Sequence, residues 1–226
     1  MKRSWPIVAL LPSLAACGSL NMMEAAQSGG ATYEVTLTPM WSAQSHPLDY
    51  PKAGLLTGPH FSGLIGATHA HGFTLFAEGR LPTTGLERLS EEGKHSPLDA
   101  EIKAAIRSGN AGELVESDAL KDFSMAASAT VHVTDAFPKV SLVAMVAPSP
   151  DWFLGVSGVE LRAAGTWVSE KELLVYAYDS GGDAGTTYEA PDADLDPKRP
   201  TKLNDAPHFL RGGTRVPVAR LTFRRK

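Results

Sequence analysis

A chain of 226 residues, 43% hydrophobic and 20% charged, has ample material for a core and suits one β-rich domain or two small ones. A formal net charge of −4 excludes the basic footprint of a nucleic-acid binder, and a single cysteine, Cys17, excludes any intramolecular disulfide. The 21 glycines and 16 prolines suit many turns between short strands, which points to an all-β fold.

Lys2 and Arg3 precede an apolar run, Trp5 to Ala16, that is shorter than the roughly 18 residues a membrane span needs. The run ends in Leu14-Ala15-Ala16-Cys17-Gly18, which resembles the bacterial lipobox. In that motif the cysteine thiol receives a diacylglyceryl group and the signal is cleaved just before it. An ordinary secretory signal with an incidental cysteine is the alternative. The agreement of basic segment, apolar run and box favours lipidation. Residues 1–16 then read as a signal peptide, 17–31 as the lipidated cysteine with a Ser-, Gly- and Ala-rich tether, and 32–226 as the folded domain. Two acyl chains anchor stably where one does not, so the membrane is an expected partner and the bacterial cell envelope the expected location. Gly18 stands where an aspartate would signal inner-membrane retention, which points to the outer membrane.

Thr32 to Trp41 alternates, with Tyr33, Val35 and Leu37 on one face, and predicts a half-buried strand. Ser42 to Pro59 carries the breakers Pro47, Pro51 and Gly54 and predicts a loop. Gly72 to Ala77 predicts a short strand and Leu86 to Glu92 one helical turn. Ser96-Pro97-Leu98-Asp99 reads as a helix start with Ser96 as N-cap and Pro97 at the first helical position. Leu98, Ile102 and Ile106 follow on one face, and Gly109 is the stop. Gly112 to Phe123 reads as a short helix or irregular arm. Strands are predicted at Ala129–Ala136, at Lys139–Val146 (apolar on both faces, hence interior), and at Glu172–Tyr178. Arg215–Phe223 is a further strand, at an edge because of Pro217. Asp192 to Pro200 is a solvated loop. Short strands with minor helices predict an antiparallel β-sandwich.

Two acidic turns bracket the block from Ala147 to Glu189, which reads as strand, turn, strand: Pro148-Ser149-Pro150-Asp151-Trp152 and Tyr178-Asp179-Ser180-Gly181-Gly182-Asp183. In an antiparallel sheet such turns meet at one end. Asp151, Asp179 and Asp183 are then either ordinary turn aspartates or a hard, all-oxygen pocket for calcium, which takes six to eight oxygens from loops. Gly181, Gly182 and Gly185 would let the loop wrap an ion. A second constellation is His60, His69 and His71, since His69-Ala70-His71 on a strand would place two imidazoles on one face for copper or zinc. Packed or exposed histidines are the plainer reading. Gly155-Val156-Ser157-Gly158-Val159 misses the G-x-S-x-G elbow by one place, and no phosphate loop or H-E-x-x-H is present, so no catalytic residue is assigned. A carboxylate-based hydrolase of unknown substrate stays open as an alternative, because no acid pair is singled out.

Trp41-Ser42-Ala43-Gln44-Ser45-His46-Pro47, His60-Phe61-Ser62-Gly63-Leu64-Ile65-Gly66-Ala67-Thr68-His69, Pro148-Ser149-Pro150-Asp151-Trp152-Phe153-Leu154-Gly155-Val156, Trp167-Val168 and Tyr178-Asp179-Ser180-Gly181-Gly182-Asp183-Ala184-Gly185 occur in that order. Together they resemble the spondin N-terminal domain family over roughly residues 32 to 200. The resemblance implies a C2-like β-sandwich with calcium at Asp151, Asp179 and Asp183. It also implies an interaction or adhesion module with a protein or glycan surface partner rather than an enzyme. This chain lacks the cysteines that staple the animal domains, and it lacks a thrombospondin-type repeat, so activities that depend on those are not implied.

Overall fold

The structure, a computed structural model, describes residues 29–52, 58–117 and 126–226. The expected signal peptide, Cys17 and most of the expected tether lie outside the described residues. In chain order the first elements are strands β1 (Gly30–Pro39), β2 (His60–Phe61) and β3 (Ile65–His69), then helices α1 (Thr84–Glu92) and α2 (Leu98–Arg107). Next come β4 (Ala111–Glu116), β5 (Ala127–Thr134), β6 (Lys139–Ala147), β7 (Trp152–Glu160), β8 (Arg162–Ala163) and β9 (Thr166–Trp167). The chain finishes with β10 (Glu170–Val175), β11 (Ala177–Asp179), β12 (Lys202–Leu203), β13 (Leu210–Arg211), β14 (Thr214–Arg215) and β15 (Ala219–Arg225).

These strands build an antiparallel sandwich. One sheet has the order β10-β15-β1-β5, and the larger has β12-β11-β7-β6-β3-β4 with β2 also on β6. Alternation places the core. Tyr33, Val35 and Leu37 of β1 and Ala127, Ala129, Val131 and Val133 of β5 all point inward and are buried. Strand β6 is covered on both faces because the larger sheet carries two cores. Val140, Leu142, Ala144 and Val146 face the other sheet, while Val143 meets the helices. Neighbouring residues of β7 divide likewise, Trp152 and Leu154 going to the sandwich interior and Phe153 to the helix side. A carboxylate guards one open edge: Glu113 of β4 accepts from the outward N–H of His132 on β5, at 2.6 Å.

Six expectations of secondary structure are corrected, the last of them in α1. Gly72–Ala77 forms no strand; the adjacent Leu75 and Phe76 are both buried, a pattern that anchors a loop and cannot alternate across a sheet. Residues 111–116 are strand β4, paired with β3, and glycine at 112 lets the two strands and Phe137 approach where a Cβ would stand 2.7 Å from the ring; residues 118–125 lie outside the described residues. Pro217 precedes β15, and that strand is internal, paired with both β1 and β10. The strand expected at Glu172–Tyr178 divides, since Val175 pairs with Ala219 in the smaller sheet and Ala177 with Leu154 in the larger. Helix α2 begins one residue later than expected, with Pro97 in the cap position and no side-chain cap.

Helix α1 is also longer than one turn. Thr83 Oγ1 accepts from the Leu86 N–H to start it, and Gly93, at φ 67°, ends it by donating to the Leu89 carbonyl. Leu86 and Leu89 bury against β6 and β7 in the helix-side core, which leaves Glu87 and Glu91, one turn apart, at the flank of that contact.

Candidate metal centre

Sheet register brings the two acidic turns together. Strands β7 and β11 are antiparallel with Trp152 opposite Asp179, so Asp151 and Ser180 become neighbours just past the paired ends, and the Ser180 N–H donates to the Asp151 carbonyl at 3.2 Å. Gly181 then adopts φ +90°, a conformation open to glycine, and turns the following backbone towards Asp151. One oxygen, Asp151 Oδ2, accepts from Ser180 Oγ (2.9 Å) and from the N–H groups of Gly181 (2.8 Å), Gly182 (2.8 Å) and Asp183 (3.2 Å). Successive N–H groups converging on one anion form a nest. Asp151 is fully buried. Its other oxygen, Oδ1, is buried with no hydrogen-bond partner.

The remaining aspartates are placed around this cradle. Asp179 Oδ1 accepts from the Gly181 N–H at 3.0 Å, and Oδ2 lies 3.4 Å from Lys202 Nζ. Asp183 is buried; its oxygens accept from Gly185 N–H and Ala193 N–H, each at 2.5 Å, which ties it to the loop beyond. That loop doubles back: Ala184 N–H bonds Ala193 O, Leu195 N–H bonds Gly182 O, and Arg199 N–H bonds Gly181 O. The solvated tract expected at Asp192–Pro200 is indeed exposed for the most part, yet it also closes over the acidic turn.

Among the described residues, Asp151, Asp179 and Asp183 are not one of the groups of three whose carboxylate oxygens come close enough to share an ion. Oxygens of Asp183, Asp192 and Asp194 lie within 4.8 Å of one another, as do those of Glu87, Glu91 and Asp194. Neither group includes Asp151 or Asp179. Sequence reasoning missed Glu91 and Asp194, since a helix residue some sixty positions before the acidic block carries no local signal of meeting it.

Electrostatics mark the same place. Burial pushes the Asp151 carboxyl above its usual range and the charge of Asp179 adds to this, while hydrogen bonds from Ser180 and the Asp183 and Gly182 N–H groups act in the opposite sense. Burial, then the charges of Asp194 and Asp151, push Glu91 up to about 7, with Arg88 opposing. A group whose folded pKa is raised stabilises the fold fully below its unfolded value, and that contribution is lost as pH rises through the folded value. In chelator, Glu91 should therefore cost the protein about 1–2 kcal/mol between roughly pH 4.5 and 7, after allowance for screening of a half-buried group, and a Glu91→Gln variant should be spared that part of the loss and keep only the part due to Asp151. Urea melts of both proteins across that range check the difference.

The histidine constellation does not assemble. His69 is buried, its Nδ1 2.7 Å from Ala70 O and its Nε2 2.8 Å from Ser141 Oγ, whose hydroxyl oxygen also accepts from the Gly158 N–H. Burial lowers its pKa, and a neutral ring donating from Nδ1 and accepting at Nε2 satisfies both contacts. Strand β3 ends at His69, so His71 lies in an exposed turn, and His60 contacts Gly58 O from β2. No histidine belongs to the close ligand groups among the described residues.

The motif aromatics are structural. Trp41 stacks on Phe61 with centroids 5.8 Å apart, and Trp152 meets Tyr188 and Phe209 edge-on beneath the cradle. The Spondin_N family model matches residues 31–206, from β1 through the cradle and past β12. The chain belongs to the Spondin_N family. Among relatives of this spondin domain, Spondin-2 of Homo sapiens is 32% identical over 163 residues, 71% of this chain and 48% of that protein. Spondin-2 of Rattus norvegicus is 28% identical over 206 residues, 85% of this chain and 61% of that protein. Spondin-1 of Xenopus laevis is 28% identical over 229 residues, 95% of this chain and 26% of that protein. The chain thus spans less than two thirds of the length of these relatives.

Proposed function

We propose that this spondin domain is a calcium-binding, non-enzymatic interaction or adhesion module held at the bacterial cell envelope by a lipid on Cys17. The observation that carries the calcium reading is Asp151, a fully buried carboxylate with one oxygen held by four donors and the other without a partner. A buried charge left half-satisfied is costly, and a cation at Oδ1 compensates it. The close ligand groups on the adjoining helix and loop, Glu87 with Glu91 and Asp194, and Asp183 with Asp192 and Asp194, are all carboxylates without imidazole or thiolate, which fits a hard ion. Asp151, Asp179 and Asp183 would hold the ion, and its charge would relieve the repulsion that raises Asp151. The ordered loops would then present a surface to a protein or glycan partner.

A thermal melt in chelator and then in millimolar calcium tests the cation reading. Calcium at a hundred times its dissociation constant stabilises by about 2.7 kcal/mol, on the order of 5–10 °C for a domain of this size. Equal melting curves in chelator, calcium and magnesium would sink it. The anchor rests on the Leu14-Ala15-Ala16-Cys17 box. Expressed in a bacterium with labelled palmitate, the wild-type protein should take up label and a Cys17→Ser variant should not; label in both would exclude acylation at that thiol.

A further inference from the structure

Helix α1 brings two carboxylates to the back of the cradle. A Cβ at Gly182 would stand 2.8 Å from Glu91 Oε1 and 3.2 Å from Glu87 Cγ, so glycine at this position lets the helix side chains reach the backbone whose N–H donates to Asp151. Glu91 Oε1 is buried and has no hydrogen-bond partner. A cavity of about 270 Å³ opens beside it, lined by Glu91, Asp192 and Asp194 together with Ser149 and Pro150, the residues immediately before Asp151. Asp194 belongs to both close carboxylate groups and so links the helix side to Asp183.

The charges around this cavity are unbalanced. Glu87 is paired with Lys198, and Asp179 with Lys202. Arg88 is engaged by Glu92. Among the described residues, Glu91, Asp151, Asp183, Asp192 and Asp194 form no ion pair with lysine or arginine. Two buried oxygens beside the Gly182 turn, one on Glu91 and one on Asp151, thus lack partners while facing a common excess of negative charge. A cation supplies what both lack; a proton shared between Glu91 and Asp194 would satisfy the helix side alone.

Resting on the calcium reading above, we propose that Glu91 and Asp194 join Asp151, Asp179 and Asp183 around the cation, so that the ion clamps α1 onto the 183–199 loop. Glu87 is outside this set because Lys198 already holds it. Calcium then controls the position of a helix as well as the order of a loop, and couples α1 to the surface that the loop forms.

The test is calcium titration by calorimetry on the purified protein, with amide hydrogen exchange of residues 84–92 read in chelator and in calcium. Wild type should bind calcium and slow exchange in α1. Glu91→Gln, which keeps the side-chain shape, should bind at least tenfold more weakly and lose the calcium-dependent protection of α1; Asp194→Asn, on an exposed loop, should do the same. Both variants should retain the wild-type circular dichroism spectrum. If both bind calcium as tightly as wild type, or α1 exchange ignores calcium in wild type, the clamp is refuted while the cradle site stands. If wild type takes up no calcium, the reading beneath the clamp fails as well.

Discussion

Alanine at position 151 is expected to lower the melting temperature by roughly 10 °C in chelator and to abolish any response to calcium. The carboxylate is the meeting point of four donors, and deletion leaves the Asp183 N–H with no acceptor within its present geometry. Two donors have fallbacks: Gly181 N–H can use Asp179 Oδ1 at 3.0 Å, and Gly182 N–H can use Ser180 Oγ at 3.3 Å. Each buried donor left unpaired costs about 1–3 kcal/mol, so a total near 3–5 kcal/mol is expected. Two terms oppose this, since removal of Asp151 ends the burial penalty on its half-satisfied carboxylate and relieves its repulsion with Asp179. Asp179 is partly exposed and faces Lys202, so the relief is the smaller effect. At about 2–4 °C per kcal/mol for a domain of this size, the net loss is on the order of 10 °C. Calorimetric melts of wild type, Asp151→Ala and Asp151→Asn check it; a wild-type melting point for Asp151→Ala would show that water satisfies the nest unaided.

The second large effect is expected for Gly181→Ala, at about 3 kcal/mol. Two causes add. A left-handed alanine costs roughly 1–2 kcal/mol at φ +90°. Its Cβ would also stand 2.1 Å from the Arg199 carbonyl oxygen, and that backbone is fixed because Arg199 N–H donates to Gly181 O at 2.9 Å. Relief of such a clash costs typically 1–3 kcal/mol and displaces the N–H groups that cradle Asp151. Gly165 is the control: it has φ +80° with nothing within 4 Å of an added Cβ, so Gly165→Ala should lose only the conformational part. Urea midpoints of the two variants, with unchanged slopes, separate clash from strain. Equal losses would mean that the loop at Arg199 yields freely.

Much of the fold is legible in residues that obey a period. Tyr33, Val35 and Leu37 alternate, and the uniformly apolar run of β6 reports a strand covered on both faces. Exceptions arise where burial breaks the period. Leu75 and Phe76 both enter the helix-side core, and Pro217 lies just outside a strand that is internal to its sheet. The divided strand at Val175 and Ala177 is equally silent in sequence, since a change of sheet at one residue depends on partners, not on composition.

By itself the sequence determined the sandwich class, the two inward-facing patterns, the family resemblance and the acidic turns on which a site would be built. Asp151, Asp179 and Asp183 stand out in the sequence as turn residues because turn chemistry is local: glycines, prolines and aspartates act within a few residues of themselves. Only the tertiary structure decided which oxygen of Asp151 is held and which lacks a partner. It also brought Asp192 and Asp194 back across Asp183, and set Glu91 from α1 against Gly182. The physical reason is register and packing. One antiparallel pairing, Trp152 opposite Asp179, joins the turns, and the burial of Leu86 and Leu89 orients the helix that carries Glu91.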